Sequence, residues 1–183
     1  EWSSVVFFDD SYPNKKNNGK WPVVGTGNEF FDECCQFTGV IVGIGDNRVR
    51  LSKTLELQAM GASVTSIIHP NSFVSSGASI ASGSVVFAGA IINVDANLGQ
   101  ACIINSGSVV EHDCYLYDGV HISPNAALAG QTTVGECSWI GIGAVTRQLI
   151  SIGSDVVVGA GSVVVKSLPD KVTVVGNPSV IIK

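Results

Sequence analysis

Stepping by six from Ile68, the chain places an aliphatic residue at Val74, Ile80, Val86, Ile92, Leu98, Ile104, Val110, Leu116, Ile122, Leu128, Val134, Ile140, Ile152, Val158 and Val164. Thr146 is the one exception in a series of seventeen. Four residues after each comes a second set, beginning Ser72, Ala78, Ser84, Ala90, Ala96, Cys102, Ser108, Cys114, Val120 and Ala126, and these are mostly small. A helix repeats its apolar residues every three or four positions and a plain strand every two, so neither accounts for a strict six. A short flat strand followed by a turn does, and such a unit repeated along a chain is the signature of a parallel β-helix. The large residue then fills the interior, the small one fits near a corner, and successive rungs stack at about 4.8 Å.

Composition narrows the partners. The 183 residues are 45% hydrophobic with mean hydropathy +0.37, enough for a well-buried core, and only 14% are charged. So few charges suit a solenoid whose flat faces pack on copies of itself. The net charge of −5 and the lack of a Lys/Arg cluster argue against nucleic acid. No apolar run approaches the ~20 residues of a membrane helix, and no signal peptide is expected at the start. The five cysteines are odd in number and lack metal-ligand spacing. They read as reduced, buried packing residues of a cytoplasmic protein, with no metal.

Ahead of the repeat, residues 1–67 alternate apolar runs with helical patterns. Val5 to Phe8, ending in Asp9-Asp10, and Gly39 to Ile44, ending in Gly45-Asp46-Asn47, are expected to be buried parallel strands. Helices are expected over Asn28 to Phe37 and Asn47 to Met60, with a strand from Ser63 to Ile68 leading into the coil at His69-Pro70. Such an α/β unit binds ligands beyond the carboxyl ends of its strands, which would put Asp9, Asp10, Gly45 and Asn47 beside a nucleotide. The alternative is that they are ordinary turn residues, since no Gly-rich fingerprint accompanies them.

Three histidines allow each to be weighed. His69 reads as a junction residue. His112 lies in Glu111-His112-Asp113, where a carboxylate neighbour can orient the imidazole and raise its basicity, as a general base requires. Asp113 and Glu111 both qualify for that role. Three hexads to a coil would stack Gly130 over His112, bringing a bare backbone N–H beside the base, and these two groups are the minimum for acyl transfer. His121 comes nine residues after His112, half a coil away, and belongs to another side of the prism.

The hexads, together with FFDDS at 7–11, GIGDN-x-x-R at 43–50 and IIHP at 67–70, resemble the left-handed β-helix hexapeptide acyltransferases. Within them the resemblance is to the nucleotide-sugar branch, which includes the bacillosamine and perosamine N-acetyltransferases and the sialic acid O-acetyltransferases. The left hand comes from this resemblance, because ordinary parallel crossovers are right-handed. It implies a mainly β chain: a coil over 68–167, giving between five and six turns, after a small α/β Rossmann-like domain at 1–67. A tail at 168–183 would contribute to the coenzyme site. Members normally start with a strand and Gly-rich turn before the FxDD strand, whereas this sequence starts just ahead of the latter. Either some 25–30 residues of one strand–helix unit belong before Glu1, or the nucleotide site is a reduced one.

The resemblance further implies acetyl-CoA as co-substrate and N-acetylation of a nucleotide-linked 4-amino-4,6-dideoxy sugar. It sets three hexads to the coil, assigns His112 as base with Asp113 as its partner and places Asn105 near the sugar, and the stacked Gly130 N–H is then the candidate oxyanion donor. His121 would approach the thioester, meeting His112 of a neighbouring chain in a homotrimer. Ile142, Gly143 and Ala160 would line a pantetheine groove, and Pro178, in a Gly-Asn-Pro tail followed by Ser179 where the family has Ala, would meet the adenine. Two alternatives stand beside this reading: O-acetylation of a sialic acid-type sugar, and a non-catalytic β-helix binding module.

Overall fold

The computed structural model describes residues 2–183. From β4 (Ile67–Ile68) to β20 (Val163–Val164), seventeen two-residue strands follow one another at six-residue spacing. Up to the strand Val145–Thr146, each pairs in parallel with the strand eighteen residues on, as Ile103 with His121 and His121 with Trp139, so three hexads make one coil. The coil's strands form three sheets of six, six and five, one per face of a triangular prism, and two strands of the tail bring the first to eight. In each strand the second residue points inward. From Val86 onward these aliphatics are buried, with Ala90, Cys102, Cys114 and Ala126 beside them in one continuous core. Ile68, Val74 and Ile80, in the first coil, are only partly covered.

The turns obey a rule the apolar pattern does not display. From Gly83 to Gly161 every sixth residue has φ between +54° and +76°, and eight of these fourteen are not glycine. A left-handed conformation costs an ordinary residue about 1–2 kcal/mol. Here it is offset because the same residue's N–H donates to a carbonyl of the preceding coil, as Asp113 does to Val94 and Gln131 to His112.

The N-terminal unit departs from the expected alternation. β1 (Phe7–Phe8) is half-buried and pairs in parallel with β3 (Trp21–Gly25), which is also hairpinned to β2 (Asn17–Asn18). The apolar pattern marks no strands between 11 and 27, although Asn18-Gly19, with Gly19 at φ +60°, is a hairpin signal. The expected strand at Gly39–Ile44 reduces to a single bridge, Val40 to Val64, and the expected strand from Ser63 reduces to that bridge and β4. Outside β4, each segment has a bridge partner for only one residue. The observed three-stranded sheet is therefore mixed rather than a run of parallel strands.

The helices fall where the pattern placed them. α1 (Gly27–Glu33) starts with a capping box between Thr26 and Glu29 and continues as one 3₁₀ turn to Gln36. α2 (Asn47–Ala59) is capped by Asp46, whose carboxylate accepts from Val49 N–H at 2.9 Å.

α2 lies along one corner of the coil. Its thirteen residues span about 20 Å at 1.5 Å each, close to the ~19 Å of four stacked rungs. One helical turn therefore meets one rung after another. Arg48 pairs with Asp155 and Glu136, Leu51 packs on Ala101 and Cys137, Thr54 covers Gly83, and Gln58 donates to Ser82. Arg50, 1% exposed, donates to the carbonyls of Ala101, Gly119, Ile44 and Gly45 and to Asn47 Oδ1, at 2.8–3.1 Å. The guanidinium has no carboxylate partner in these contacts, and burial lowers its pKa.

At the other end, the tail does not hang free of the coil. β21 (Thr173–Val175) extends the eight-stranded sheet beside β19 (Val157–Val158), and β22 (Val180–Ile181) folds back against β21.

Candidate active site

His112 sits at the corner between the six- and five-stranded sheets, after β11 (Val109–Val110). Its Nδ1 and Asp113 Oδ2 are 2.7 Å apart, and the two side chains are 53% and 48% exposed. Asp113 reaches the ring because the turn holds it at φ +58°, a conformation Asp tolerates. Its carboxylate raises the His112 pKa, chiefly through this hydrogen bond, against the cost of desolvation and with the least help from the Glu111 charge. Asp113, and not Glu111, is thus the carboxylate bonded to the ring. With Nδ1 occupied, Nε2 is the atom left to accept a proton.

That Nε2 lies over Gly130. A Cβ added at Gly130 would stand 2.5 Å from His112 Nε2 and 2.6 Å from Cε1, closer than real atoms approach. Glycine is needed here for space rather than for φ. Among the described residues no acceptor takes the Gly130 N–H, and His112 Nε2 beside this glycine has no hydrogen-bond partner either.

His121 opens β13 (His121–Ile122) on the eight-stranded face, separate from the His112 corner. It is 9% exposed and stacked on Trp139, with ring centroids 5.0 Å apart and planes inclined by 19°. Asn105 Oδ1 accepts from Ser106 N–H at 2.9 Å, which turns Asn105 Nδ2 towards His121 Nε2 at 3.3 Å. An amide donor at Nε2 makes the neutral Nδ1–H tautomer the compatible one. Burial, then the Arg50 charge, push the His121 pKa down to about 4, so this imidazole is neutral where His112 titrates. Asn105, expected near a sugar, is in this chain the neighbour of His121 and not of His112.

Beside Trp139 runs a shallow groove of about 290 Å³ lined by Ser123, Gly141, Ile142, Val157, Val158, Gly159 and Ala160. Ile142 and Ala160 lie in it, while Gly143 is exposed at the adjoining turn. Trp139 is held by donating to Ser123 Oγ at 2.6 Å; the sequence reading named neither residue, though a Trp in an outward hexad position is a signal. Pro178 follows a cis peptide in the exposed turn between β21 and β22.

Of the nucleotide-side set, Asp9 and Asp10 stand at the carboxyl end of β1. Asp9 pairs with Lys15 and accepts from Ser11 N–H, and Asp10 accepts from Gly27 N–H. Gly45 is exposed, but its carbonyl accepts from Arg50. Asn47 does not fit the expectation. It is buried, donating to the carbonyls of Cys137 and Ser138 and accepting from Arg50, so it secures α2 to the coil instead of facing a ligand. All five cysteines are free, and Cys35 is exposed rather than buried. Among the described residues no group of three His, Cys, Asp or Glu side chains is placed to hold a metal, and no helix is long and apolar enough to cross a membrane.

Comparison with known proteins shows the family. Residues 1–57 match the PglD N-terminal domain family. Over 182 residues the chain is 32% identical to the GDP-perosamine N-acetyltransferase of Escherichia coli O157:H7, covering 96% of this chain and 81% of that protein. The chain belongs to the hexapeptide-repeat nucleotide-sugar N-acetyltransferases. Two solved structures bear this out. The acetyltransferase domain of PglB from Neisseria gonorrhoeae FA1090, in complex with acetyl coenzyme A, superposes with TM-score 0.95 at 39% identity over 99% of this chain and 87% of that one. PerB from Caulobacter crescentus, in complex with CoA and GDP-perosamine, gives 0.86 at 40% identity over 89% and 79%. The protein is thus an acetyl-CoA-dependent acyltransferase, which removes the non-catalytic alternative.

Proposed function

We propose that this enzyme transfers the acetyl group of acetyl-CoA to the 4-amino group of a nucleotide-linked 4-amino-4,6-dideoxy sugar, in one direct step without a covalent enzyme intermediate. The observation that carries the reading is His112 Nε2 resting on Gly130, with Asp113 on the opposite ring nitrogen. The sugar amine attacks the thioester carbonyl carbon, and the charge that gathers on the oxygen is met by the Gly130 N–H. As the C–N bond forms, His112 Nε2 takes the amine proton and Asp113 stabilises the resulting imidazolium. The C–S bond then breaks, and the departing thiolate takes up that proton. The GDP-perosamine bound by PerB supports an amino sugar as acceptor.

His121 and the groove lie on a different face from His112, so a complete site requires groups from two copies. A homotrimer of left-handed coils with coenzyme between subunits meets that requirement. In support, the outward positions of the six-stranded sheet are Phe73, Ile91, Val109, Ala127, Val145 and Val163, all apolar, whereas those of the five-stranded sheet are polar apart from Tyr115. His121 then meets the thioester as a neutral group, and Ile142, Gly143, Ala160 and Pro178 follow the coenzyme. Asp9, Asp10 and Gly45 of the Rossmann-like unit contact the nucleotide, Asn105 faces the sugar side, and the free thiols suit the cytoplasm.

The test is His112→Ala, assayed by coenzyme thiol release with UDP- and GDP-linked amino sugars and with free sialic acid. Loss of about 10²–10⁴-fold in turnover is expected. Survival within a few-fold would remove the base assignment, and preference for sialic acid would move the acceptor from amine to hydroxyl.

A further inference from the structure

Thr146 is the single polar residue in the inward aliphatic series, and the fold shows what it does there. Everywhere else in the coil two strands stacked eighteen residues apart pair at both of their residues. Between β14 (Ala127–Leu128) and β17 (Val145–Thr146) only Ala127 and Val145 pair. The Ala129 N–H, whose counterparts Glu111 and Arg147 donate to a backbone carbonyl of the next coil, donates instead to Thr146 Oγ1 at 2.9 Å. Thr146 Oγ1 is 3.2 Å from Thr132 Oγ1, and Thr132 Oγ1 donates to the Ala129 carbonyl at 2.6 Å. Each hydroxyl has one proton. Since that of Thr132 goes to the carbonyl, that of Thr146 goes to Thr132. The bonds close into a ring, from Ala129 N–H to Thr146, from Thr146 to Thr132, and from Thr132 back to the Ala129 carbonyl. Both threonines are buried, at 9% and 0% exposure, and Cys114 Sγ adds a second donor to the same carbonyl at 3.4 Å.

The ring grips the peptide that contains the Gly130 N–H. In a planar trans peptide the C=O and N–H point in opposite directions. A carbonyl drawn inward by Thr132 and Cys114 therefore turns the Gly130 N–H outward, to the corner occupied by His112. We propose that Thr146 and Thr132 are positioning residues that aim the Gly130 N–H at the acyl oxygen, and that Thr146 breaks the aliphatic series for this purpose. The inference rests on the oxyanion role given to Gly130 above. Neither threonine touches substrate in it, and both act through the Ala129–Gly130 peptide.

Thr146→Val decides it. Valine has nearly the same shape and restores the aliphatic series, so the coil keeps or gains thermal stability, while Ala129 N–H returns to a carbonyl and the aim of the peptide is lost. Removing a whole oxyanion donor costs about 10²–10³-fold in turnover, and mis-aiming one is expected to cost about 10- to 100-fold in kcat. KM for acetyl-CoA should stay within a few-fold, because the coenzyme groove is on another face. Thr146→Ser keeps the hydroxyl and should recover most of kcat despite its smaller volume. The idea is overturned if Thr146→Val retains kcat within twofold, or if Thr146→Ser is as slow as Thr146→Val, since bulk rather than hydrogen bonding would then matter. A Thr146→Val variant too unstable to assay would also count against it, because an aliphatic residue is what the coil carries at all sixteen equivalent positions. The reading beneath stands or falls separately on His112→Ala.

Discussion

Replacing Gly130 by Ala should disable the enzyme through His112 and almost nothing else. The new methyl would sit 2.5 Å from Nε2 and 2.6 Å from Cε1, whereas ordinary contact begins at 3.4 Å, so the ring must retreat by about 0.9 Å. It has room to do so, because His112 is half-exposed at a corner. Stability should change little: Ala in place of Gly removes unfolded-chain entropy worth about 0.4–1 kcal/mol, and the displaced imidazole gives part of that back. A shift of this size in a reacting group is worth up to about 10²-fold in rate, and the backbone N–H remains. The assay is kcat by thiol release for Gly130→Ala, His112→Ala and the double variant, with thermal unfolding of each. The single substitution should lower kcat by about 10- to 100-fold with Tm within about 3 °C. In the His112→Ala background it should cost nothing further, because groups acting as a unit are not additive. A full additional loss in the double variant would refute the steric route through His112, as would a Gly130→Ala enzyme of undiminished rate.

Asp113→Asn keeps the shape and suits φ +58°, but removes the charge that raises the His112 pKa. Because the base works as neutral imidazole, wild-type kcat should fall as pH drops through that raised value. The variant should show a lower plateau, by about 10²-fold, with its acid limb moved to lower pH. Arg50→Leu leaves the carbonyls of Ala101, Gly119, Ile44 and Gly45 without their buried donor, and should cost at least about 3 kcal/mol by denaturant unfolding. His121 has a folded pKa of about 4 against 6.5 for the free side chain. Its contribution is complete above pH 6.5 and is lost as pH falls towards 4, by up to about 3 kcal/mol. Histidine NMR should accordingly show His112 titrating above 6.5 while His121 stays neutral down to about pH 5, and stability measured over that window in His121→Gln should lose most of this slope.

Much of the site was legible because the coil is a counting device. A six-residue period with three hexads per turn put Gly130 over His112 and moved His121 to another face, and both relations hold in the structure. The period is visible in sequence because every rung solves the same local problem of filling a narrow interior, so the solution recurs in the same residue types. What escaped the reading depends on segments with no such repetition. α2 meets the coil through residues 24 to 107 positions away, and nothing in Asn47 or Arg50 alone distinguishes a ligand contact from a bond to Gly119 or Cys137. The hairpin of β2 and β3 had a turn signal, but its short, largely exposed strands carry no apolar run to mark them.

Thr146 marks the boundary between the two kinds of knowledge. The sequence alone determined that this position breaks an otherwise aliphatic series, since a pattern records every departure from itself. Only the tertiary structure decided what the departure means, because a hydroxyl's role is set by which buried donors and acceptors lie within about 3 Å of it, and Ala129 and Thr132 reach Thr146 from the neighbouring coil.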